Sequence, residues 1–409
     1  MIFHPDLNFT FPLVAPASCR LSARTRRQKR EQKCRRDQQI VSAALNPKIN
    51  TFAIPANQDY TASLPMAKRK PQPTLPGTTD RRLAALLTLL AENATIVVSG
   101  ARIARGIGVS RSTVWRWVNR LRELGVRVKG EQHTGYFLEK VPDILTPDML
   151  RQRLKSSLFG KRIHHFFKVD STNRVALDLG HAGEPEGAVV LAEEQTAGRG
   201  RAGHTWHSER ATGIYATLLL RPHLAPVQAP LLTMMAGLSA HAAIQAQTGL
   251  TLDLKWPNDL LIRGKKVGGI LTEMHAEPAH IRFVIVGVGL NVNQEKFPAE
   301  LGAIATSLRV ESGKPQSRLE LLVRLLREFE TDYNRFLTDG AESVTSRFAA
   351  ISSYAQGKRV HVTNGKDCFS GVTAGLGPEG LLLVKRDGGQ IVTVIAGDVT
   401  EERSSEIKK

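Results

Sequence analysis

Cysteine is scarce in this chain: Cys19, Cys34 and Cys368 are the only three in 409 residues, far apart, without a CxxC pair or a histidine at ligand spacing. That excludes a disulfide scaffold and a zinc ribbon, and it fits a reducing compartment, the cytoplasm. No unbroken apolar run approaches the roughly 18 residues that would suggest a membrane span, so no membrane association is expected. Acidic side chains are also short, 38 against 56 lysines and arginines, which leaves a net charge of +18. A chain this basic is suited to polyanions or to anionic small molecules. Its length exceeds what one core fills, so two or three domains are expected.

The charge is uneven. Residues 1–65 hold ten Lys/Arg against four Asp/Glu, nine of the basic ones between Arg20 and Arg36, with no periodicity able to build a core. The segment reads as a disordered basic extension. Either it is an Arg-rich transit-type leader or the chain's true start is Met66, which stands just before a plausible first helix. A secretory signal does not fit, because the short apolar stretch Phe9–Val14 precedes the basic run.

From Thr79 the leucines recur at helical spacing behind a polar cap. Ser99 and Ser110 each cap a further short helix, and Gly106-Ile107-Gly108 turns the chain between them. Ala104, Gly108 and Val114 have the spacing of a helix-turn-helix, here Ser99 to Val118: a small residue for close approach, glycine for the turn, a branched residue to pack back. With Val114, Val118, Leu121 and Leu124 inward, Arg111, Ser112, Trp115, Arg116, Asn119 and Arg120 face outward, types that reach phosphates and base edges. Alternation over Val126–Lys129 and Tyr136–Leu138 predicts a hairpin wing, so residues 78–140 are expected to form a winged helix-turn-helix DNA-binding domain. A protein-contact module is the other reading of such a basic three-helix unit.

Residues 155–350 alternate strand and helix signals and carry the chemistry. Asp170-Ser171-Thr172-Asn173 reads as a helix cap or as a polar grip on a small ligand. In Gln195-Thr196-Ala197-Gly198-Arg199-Gly200-Arg201-Ala202-Gly203, glycines allow backbone approach while two arginines supply charge, as an anion site needs. Trp206 fits either the core or the cover of an apolar ligand. Lys255-Trp256-Pro257-Asn258-Asp259 is a turn with charges at both ends, and Lys265-Lys266-Val267-Gly268-Gly269 sets a lysine at the mouth of a glycine-bearing strand. The Gly-interrupted strand Val286–Asn293 ends in amides. Residues 320–348 predict one amphipathic helix, and 355–403 short strands with Gly-rich turns, a small β-barrel with Cys368 as a semi-buried strand residue.

Taken together, Ser-Thr-Asn, Gln-x-x-Gly-Arg-Gly-Arg, Lys-Trp-Pro-Asn-Asp, Lys-x-Gly-Gly and Gly-x-Asn-Val-Asn, in this order, resemble the biotin–protein ligases. With the winged-helix head, the chain resembles the bifunctional biotin ligase and biotin-operon repressor family over about residues 79–402. The resemblance implies an α+β multidomain chain: winged helix-turn-helix, central class II aminoacyl-tRNA synthetase-like ligase domain, and a small SH3-like β-barrel. It implies that Ser171, Thr172, Asn173 and Gln195 hold the polar ring and tail of biotin. Arg199, Gly200 and Arg201 would lie on the loop that closes over biotin and the adenylate, ordered with help from Trp206. Lys266 would touch the biotin carboxylate and the α-phosphate, beside Gly269; Lys255, Asn258, Asp259 and Asn291 would surround ATP and Mg2+. Lys266, Arg199 and Arg201 are thus the implied catalytic set, with no structural metal.

The implied partners are the biotin carboxyl carrier protein of acetyl-CoA carboxylase, operator DNA of biotin-synthesis genes, and a second copy of the chain in the adenylate-bound state. One departure stands out. Many relatives continue the loop with Arg-Gly-Arg where this chain has Ala202-Gly203-His204, and the resemblance therefore carries the chemistry further than it carries dimerisation. Two other readings remain, a ligase-inactive biotin-sensing regulator and a lipoate ligase or octanoyl transferase. The anion loop with Lys266 speaks against the first, the Gly-Arg-Gly-Arg and Lys-Trp-Pro-Asn-Asp motifs against the second.

Overall fold

The computed structural model describes residues 77–94, 96–131, 133–140, 143–364 and 368–402. The basic extension, the alternative start at Met66, and Cys19 and Cys34 lie outside them. By its contacts the chain divides into two units. One holds the described residues 77–360 and 371–395; the other contains 361–364, 368–370 and 396–402.

The first unit opens with α1 (Thr78–Glu92), α2 (Gly100–Ile107) and α3 (Arg111–Glu123), then the hairpin β1 (Val128–Glu131) and β2 (Gly135–Leu138). Local chemistry fixes the two helix starts. Ser99 Oγ accepts from Arg102 N and Ser110 Oγ from Thr113 N, both at 3.2 Å. Gly108 ends α2 at φ 67°, a left-handed conformation that glycine adopts without Cβ strain. Leu83, Leu86, Leu87 and Leu90 of α1 then bury against Ile103, Val114, Val118 and Leu121, and the hairpin closes the core with Tyr136 and Leu138.

After α4 (Pro147–Arg153) come β3 (Arg162–Phe166), α5 (Thr172–His181), β4 (Ala188–Ala192), β5 (Gly213–Leu220) and α6 (Ala229–Thr248). The sheet is completed by β6 (Asp253–Lys255), β7 (Asp259–Ile262), β8 (Lys265–Ala276) and β9 (Ile281–Asn291). Its order is β3-β4-β5-β9-β8-β7-β6, parallel between β3 and β4 and antiparallel elsewhere. Strand alternation divides its two faces. Phe283 and Ile285 of β9 pack with Val175 and Leu179 of α5. Thr272 and Ile270 of β8, paired with Val286 and Val288, point to the other face, where Thr233 of α6 bonds Thr272 at 2.8 Å.

Helix α6 is long and apolar enough to cross a membrane by length and composition, but most of it is buried in the protein. It packs on β8 and β9 and against α8 (Arg318–Asp339), which follows the short α7 (Leu308–Ser312). The single helix expected over 320–348 is two, α8 and α9 (Glu342–Ile351), because Gly340 caps the first at φ 76°. The C-terminal region is strand-rich: β10 (Gln356–Thr363), β11 (Cys368–Leu376), β12 (Leu382–Arg386), β13 (Ile391–Val394) and β14 (Asp398–Glu401). Cys368 is half-buried in its strand.

Candidate functional site

The site forms where α5 begins against the middle of the sheet. Ser171 is the N-cap in extended conformation but its side chain makes no capping bond, which leaves its hydroxyl for another use. Thr172 turns inward. Its backbone N and its Oγ1 both donate to Gln195 Oε1, at 2.8 and 3.1 Å. The Gln195 amide donates in turn to Ser208 Oγ at 2.9 Å. Thr217 of β5 stands within hydrogen-bonding distance of Thr172 Oγ1, 2.9 Å, and Asn173 Oδ1, 2.7 Å. Asn173 Nδ2 donates to Leu271 O at 3.2 Å and to Glu273 Oε2 at 2.8 Å. Ser171, Thr172 and Asn173 are all buried, so this is a preorganised set of polar groups shielded from bulk water.

Glycines make the floor. A Cβ on Gly287 would stand 2.1 Å from Asn173 Oδ1, and one on Gly289 would stand 2.6 Å from the Trp206 ring. Gly289 pairs in register with Gly269, whose own Cβ would meet both Trp206 and the Lys266 chain at 3.3 Å. The indole thus lies flat on a glycine pair spanning β8 and β9. Its Nε1–H is buried without an acceptor among the described residues. A buried donor left unsatisfied costs about 1–3 kcal/mol, a cost that an ordinary core tryptophan avoids.

Lys266 is the second residue of β8, its side chain 37% exposed; Nζ lies 2.5 Å from Asp259 Oδ1 and 5.7 Å from the centroid of Trp206. Lys255 approaches the other oxygen of Asp259 at 3.7 Å. Two cations therefore share one carboxylate, a net positive charge at the rim of the glycine floor. Asn258 is spent structurally: its amide donates to Ile270 O and its carbonyl accepts from Ile270 N, both at 2.9 Å, capping β8 where β7 leaves it. Asn291 donates to Thr306 O at 3.0 Å, and Thr306 N donates to Lys266 O at 2.9 Å, so residues 304–306 tie Asn291 to Lys266. Trp256 is buried and donates to Gly380 O at 3.0 Å.

The Gly-Arg loop closes on itself as a small hairpin. Gly200 N donates to His204 O at 2.7 Å and Trp206 N to Gly198 O at 2.8 Å. Its tip is the single 3-10 turn Arg201–Gly203, where Ala202 takes a positive φ of 51°. Arg199 reaches Glu273 at 3.1 Å. Residues 202–205 are exposed.

The predicted ligand residues come from four chain regions, 171–173, 195–206, 255–269 and Asn291, with the Asn258 side chain bonded to Ile270 O. Sequence reading missed Thr217, Ser208 and Glu273. It also missed a buried node below the site: Arg318, 0% exposed, pairs with Glu193 at 2.8 Å and with Asp143 at 3.2 Å. Glu193 also meets His165 at 3.2 Å and accepts from Leu145 N at 2.9 Å. Burial works to raise the Glu193 pKa, but Arg318, His165 and the Leu145 N–H outweigh it and hold it at about 2.

On α3, Arg111, Ser112, Trp115, Arg116 and Arg120 are exposed and Asn119 is half-exposed, as expected. Trp115 is 46% exposed, unusual for so large an apolar ring. Arg122 donates to Val128 O and Gly130 O at 3.0 and 2.8 Å, binding the hairpin to the helix.

Residues 166–291 match the Biotin/lipoate A/B protein ligase family, and residues 82–137 match the HTH domain. The bifunctional ligase/repressor BirA of Bacillus spizizenii is 37% identical over 320 residues, 77% of this chain and 97% of that protein. The Escherichia coli protein of the same name is 26% identical over 291 residues, 71% of this chain and 88% of that protein. Among solved structures, the biotin protein ligase from Aquifex aeolicus in complex with biotin and ATP is 30% identical. It covers 60% of this chain and all of its own, with a TM-score of 0.52. Similarity of that extent across both the helix-turn-helix and the ligase regions means that this chain belongs to the BirA family of bifunctional ligase/repressors.

Proposed function

We propose that this protein is an ATP-dependent biotin–protein ligase and a biotin-responsive transcriptional repressor. The observation that carries the ligase reading is the placing of Lys266, held by Asp259 at 2.5 Å, beside the glycine floor and under Trp206. In the first step an oxygen of the biotin carboxylate attacks the α-phosphorus of ATP, forming biotinyl-5'-AMP and releasing pyrophosphate. Two anions must meet, and Lys266, Arg199 and Arg201 supply the offsetting charge in a partly desolvated site. No general base is required, because the carboxylate is already ionised. In the second step a lysine amine of the acceptor attacks the mixed anhydride carbon, AMP leaves, and the amine loses its proton.

Ser171, Thr172, Asn173 and Gln195 are assigned to the polar end of biotin, with Gly269 and Trp206 along the tail; the acceptor-free indole N–H supports that assignment. Gly200 would let the loop backbone approach the adenylate. Lys255, Asp259 and Asn291 are assigned to the nucleotide, with Asn258 holding the turn that presents them. Among the described residues no three His, Cys, Asp or Glu side chains gather as a metal site. Mg2+ is therefore assigned to the ATP phosphates as part of the substrate, with Asp259 the carboxylate nearest Lys266.

Residues 78–140 are assigned to operator DNA through Arg111, Ser112, Trp115, Arg116, Asn119 and Arg120. Residues 155–350 are assigned to catalysis and 355–403 to the small C-terminal β domain. The acceptor is the carboxyl carrier protein of acetyl-CoA carboxylase, the compartment the cytoplasm, and the DNA-bound form a homodimer of the adenylate-loaded chain. Biotin-dependent ATP–pyrophosphate exchange, run beside lipoate as the competing acid, tests the ligase; exchange with lipoate alone overturns it. Sedimentation with biotin and ATP, followed by binding to DNA upstream of a biotin-synthesis gene, tests the repressor. A liganded monomer that ignores that DNA removes the repressor and leaves the ligase.

A further inference from the structure

One carboxylate outside the motifs faces the site. Glu273 lies on β8 four residues beyond Gly269, so the two-residue period of a strand puts both on the face that carries Gly287 and Gly289. Its two oxygens hold different partners. Oε1 pairs with Arg199 Nη2 at 3.1 Å, while Oε2 accepts from Asn173 Nδ2 at 2.8 Å. The Glu273 side chain is 23% exposed and that of Arg199 49%. The carboxylate thus belongs to the wall of the site, and the guanidinium comes down to it from the loop.

That position closes a continuous chain of polar contacts. It runs from Arg199 through Glu273, Asn173, Thr217, Thr172 and Gln195 to Ser208. One end is the hairpin of glycines and arginines; the other is the buried ring of hydroxyls and amides. Glu273 touches both, Arg199 through one oxygen and Asn173 through the other.

Charge gives the arrangement its meaning. A site for two meeting anions gains nothing from a fixed carboxylate unless that carboxylate acts on a cation. Arg199 is paired with Glu273, so an incoming carboxylate or phosphate has to compete for the same guanidinium. The second oxygen fixes the Asn173 amide with Nδ2 toward the strand and Oδ1 toward Thr217. A neutral amide in place of Glu273 would still accept from Asn173 through its carbonyl, yet it would turn an N–H2 toward Arg199.

We propose that Glu273 is a positioning residue, a latch that holds the Arg199 loop in the ligand-free state, yields Arg199 to the substrate anion, and keeps the Asn173 amide correctly turned. The inference rests on reading the site as that of biotin and its adenylate. The test uses the full chain and two readouts. Trypsin cleavage after Arg199 and Arg201, located by mass spectrometry, reports the loop, and biotin-dependent ATP–pyrophosphate exchange separates KM from kcat.

For Glu273→Gln, cleavage of the loop without added substrates is expected to rise about two- to fivefold, the range a half-exposed ion pair commands, with the biotin KM raised less than by Glu273→Ala. Glu273→Ala loses both arms and is expected to add a rise in biotin KM of about fivefold or more, as for a polar group left without its partner. Arg199→Gln breaks the same pair from the loop side, and cleavage after Arg201 should rise by a similar factor. Wild-type cleavage rates in a variant whose melting midpoint shows it folded overturn the latch. A biotin KM raised as much by Gln as by Ala removes the separation of the two arms. Absence of exchange in the wild type would instead sink the ligase reading, while the ligand-free trypsin rates still read the Arg199 contact by themselves.

Discussion

Arg318 and Glu193 pair at 2.8 Å with both side chains out of water, 0% and 2% exposed. Three segments meet on this pair: Leu145 N donates to Glu193, Arg318 donates to Gly213 O at 2.9 Å, and His165 lies 3.2 Å from the same carboxylate. Glu193 is two residues from Gln195, and Gly213 begins β5, so the node braces the strands on which the polar ring is mounted. Removing one partner leaves the other charge buried alone, at a cost of about 3–5 kcal/mol. Arg318→Met should lower the urea midpoint accordingly. Adding Glu193→Gln to it should restore much of the loss, and a double variant no more stable than the single would show that the pair is not what matters.

The same carboxylate sets an acid limit. Its pKa is lowered from 4.5 to about 2 in the folded protein. A group whose folded pKa lies below its unfolded one stabilises fully above the unfolded value and loses that contribution as pH falls toward the folded one. Stability should therefore decline between pH 4.5 and 2, and Glu193→Gln should flatten this part of the profile. Urea midpoints at intervals across that window measure it; equal slopes in the two proteins would contradict the assignment.

Local signals were readable wherever a single residue decides a local conformation. Ser99, Ser110 and Gly108 cap where the sequence pattern placed them, and the glycine-bearing strands sit under the residues named for the ligand. What was hidden depended on pairing across long separations. Glu273 looks like a solvated strand residue until topology brings Asn173, a hundred positions earlier, against it. Arg318 looks like one more charge on an amphipathic helix, and only the junction of three segments buries it. The break at Gly340 was legible in principle, since Thr338-Asp339-Gly340 is a helix stop, but continuing leucine periodicity obscured it.

Gly287 is fixed by close approach, since a Cβ there would stand 2.1 Å from Asn173 Oδ1. Gly287→Ala has to displace Asn173 and with it the contacts to Thr217 and Glu273. Broken buried hydrogen bonds of this kind cost about 1–3 kcal/mol, so the biotin KM should rise about tenfold or more. Isothermal titration with biotin checks it directly, and unchanged affinity would mean that Asn173 does not meet the ligand.

Lys266 and Arg201 carry the charge argument. Loss of one preorganised charge-stabilising group costs on the order of 3–4 kcal/mol in kcat terms. Lys266→Ala and Arg201→Ala should each lower adenylate formation at least about tenfold, and by more if that scale holds in full. Because Lys266 is 37% exposed and Arg201 half-buried on a loop, thermal unfolding should move little. Wild-type exchange from either variant would remove it from the catalytic set.

Arg116 separates phosphate contact from base reading at the other end of the chain. It is exposed on α3 and donates to Thr113 Oγ1 at 3.1 Å within the same helix, so losing it leaves the fold intact. If Arg116 meets a phosphate, Arg116→Ala should weaken binding to all sequences and reduce the slope of log affinity against log salt by about 1. If it meets a base, the loss should fall on one operator position, at about 1–3 kcal/mol, with the slope nearly unchanged. Arg122→Ala is the contrasting case, because Arg122 holds Val128 O and Gly130 O and so sets the hairpin's angle to the helix. It should loosen the wing, visible as faster amide exchange over β1, and weaken DNA binding through geometry. A salt titration of operator and scrambled DNA with both variants distinguishes these outcomes, and undiminished binding by Arg116→Ala would take that residue out of the interface.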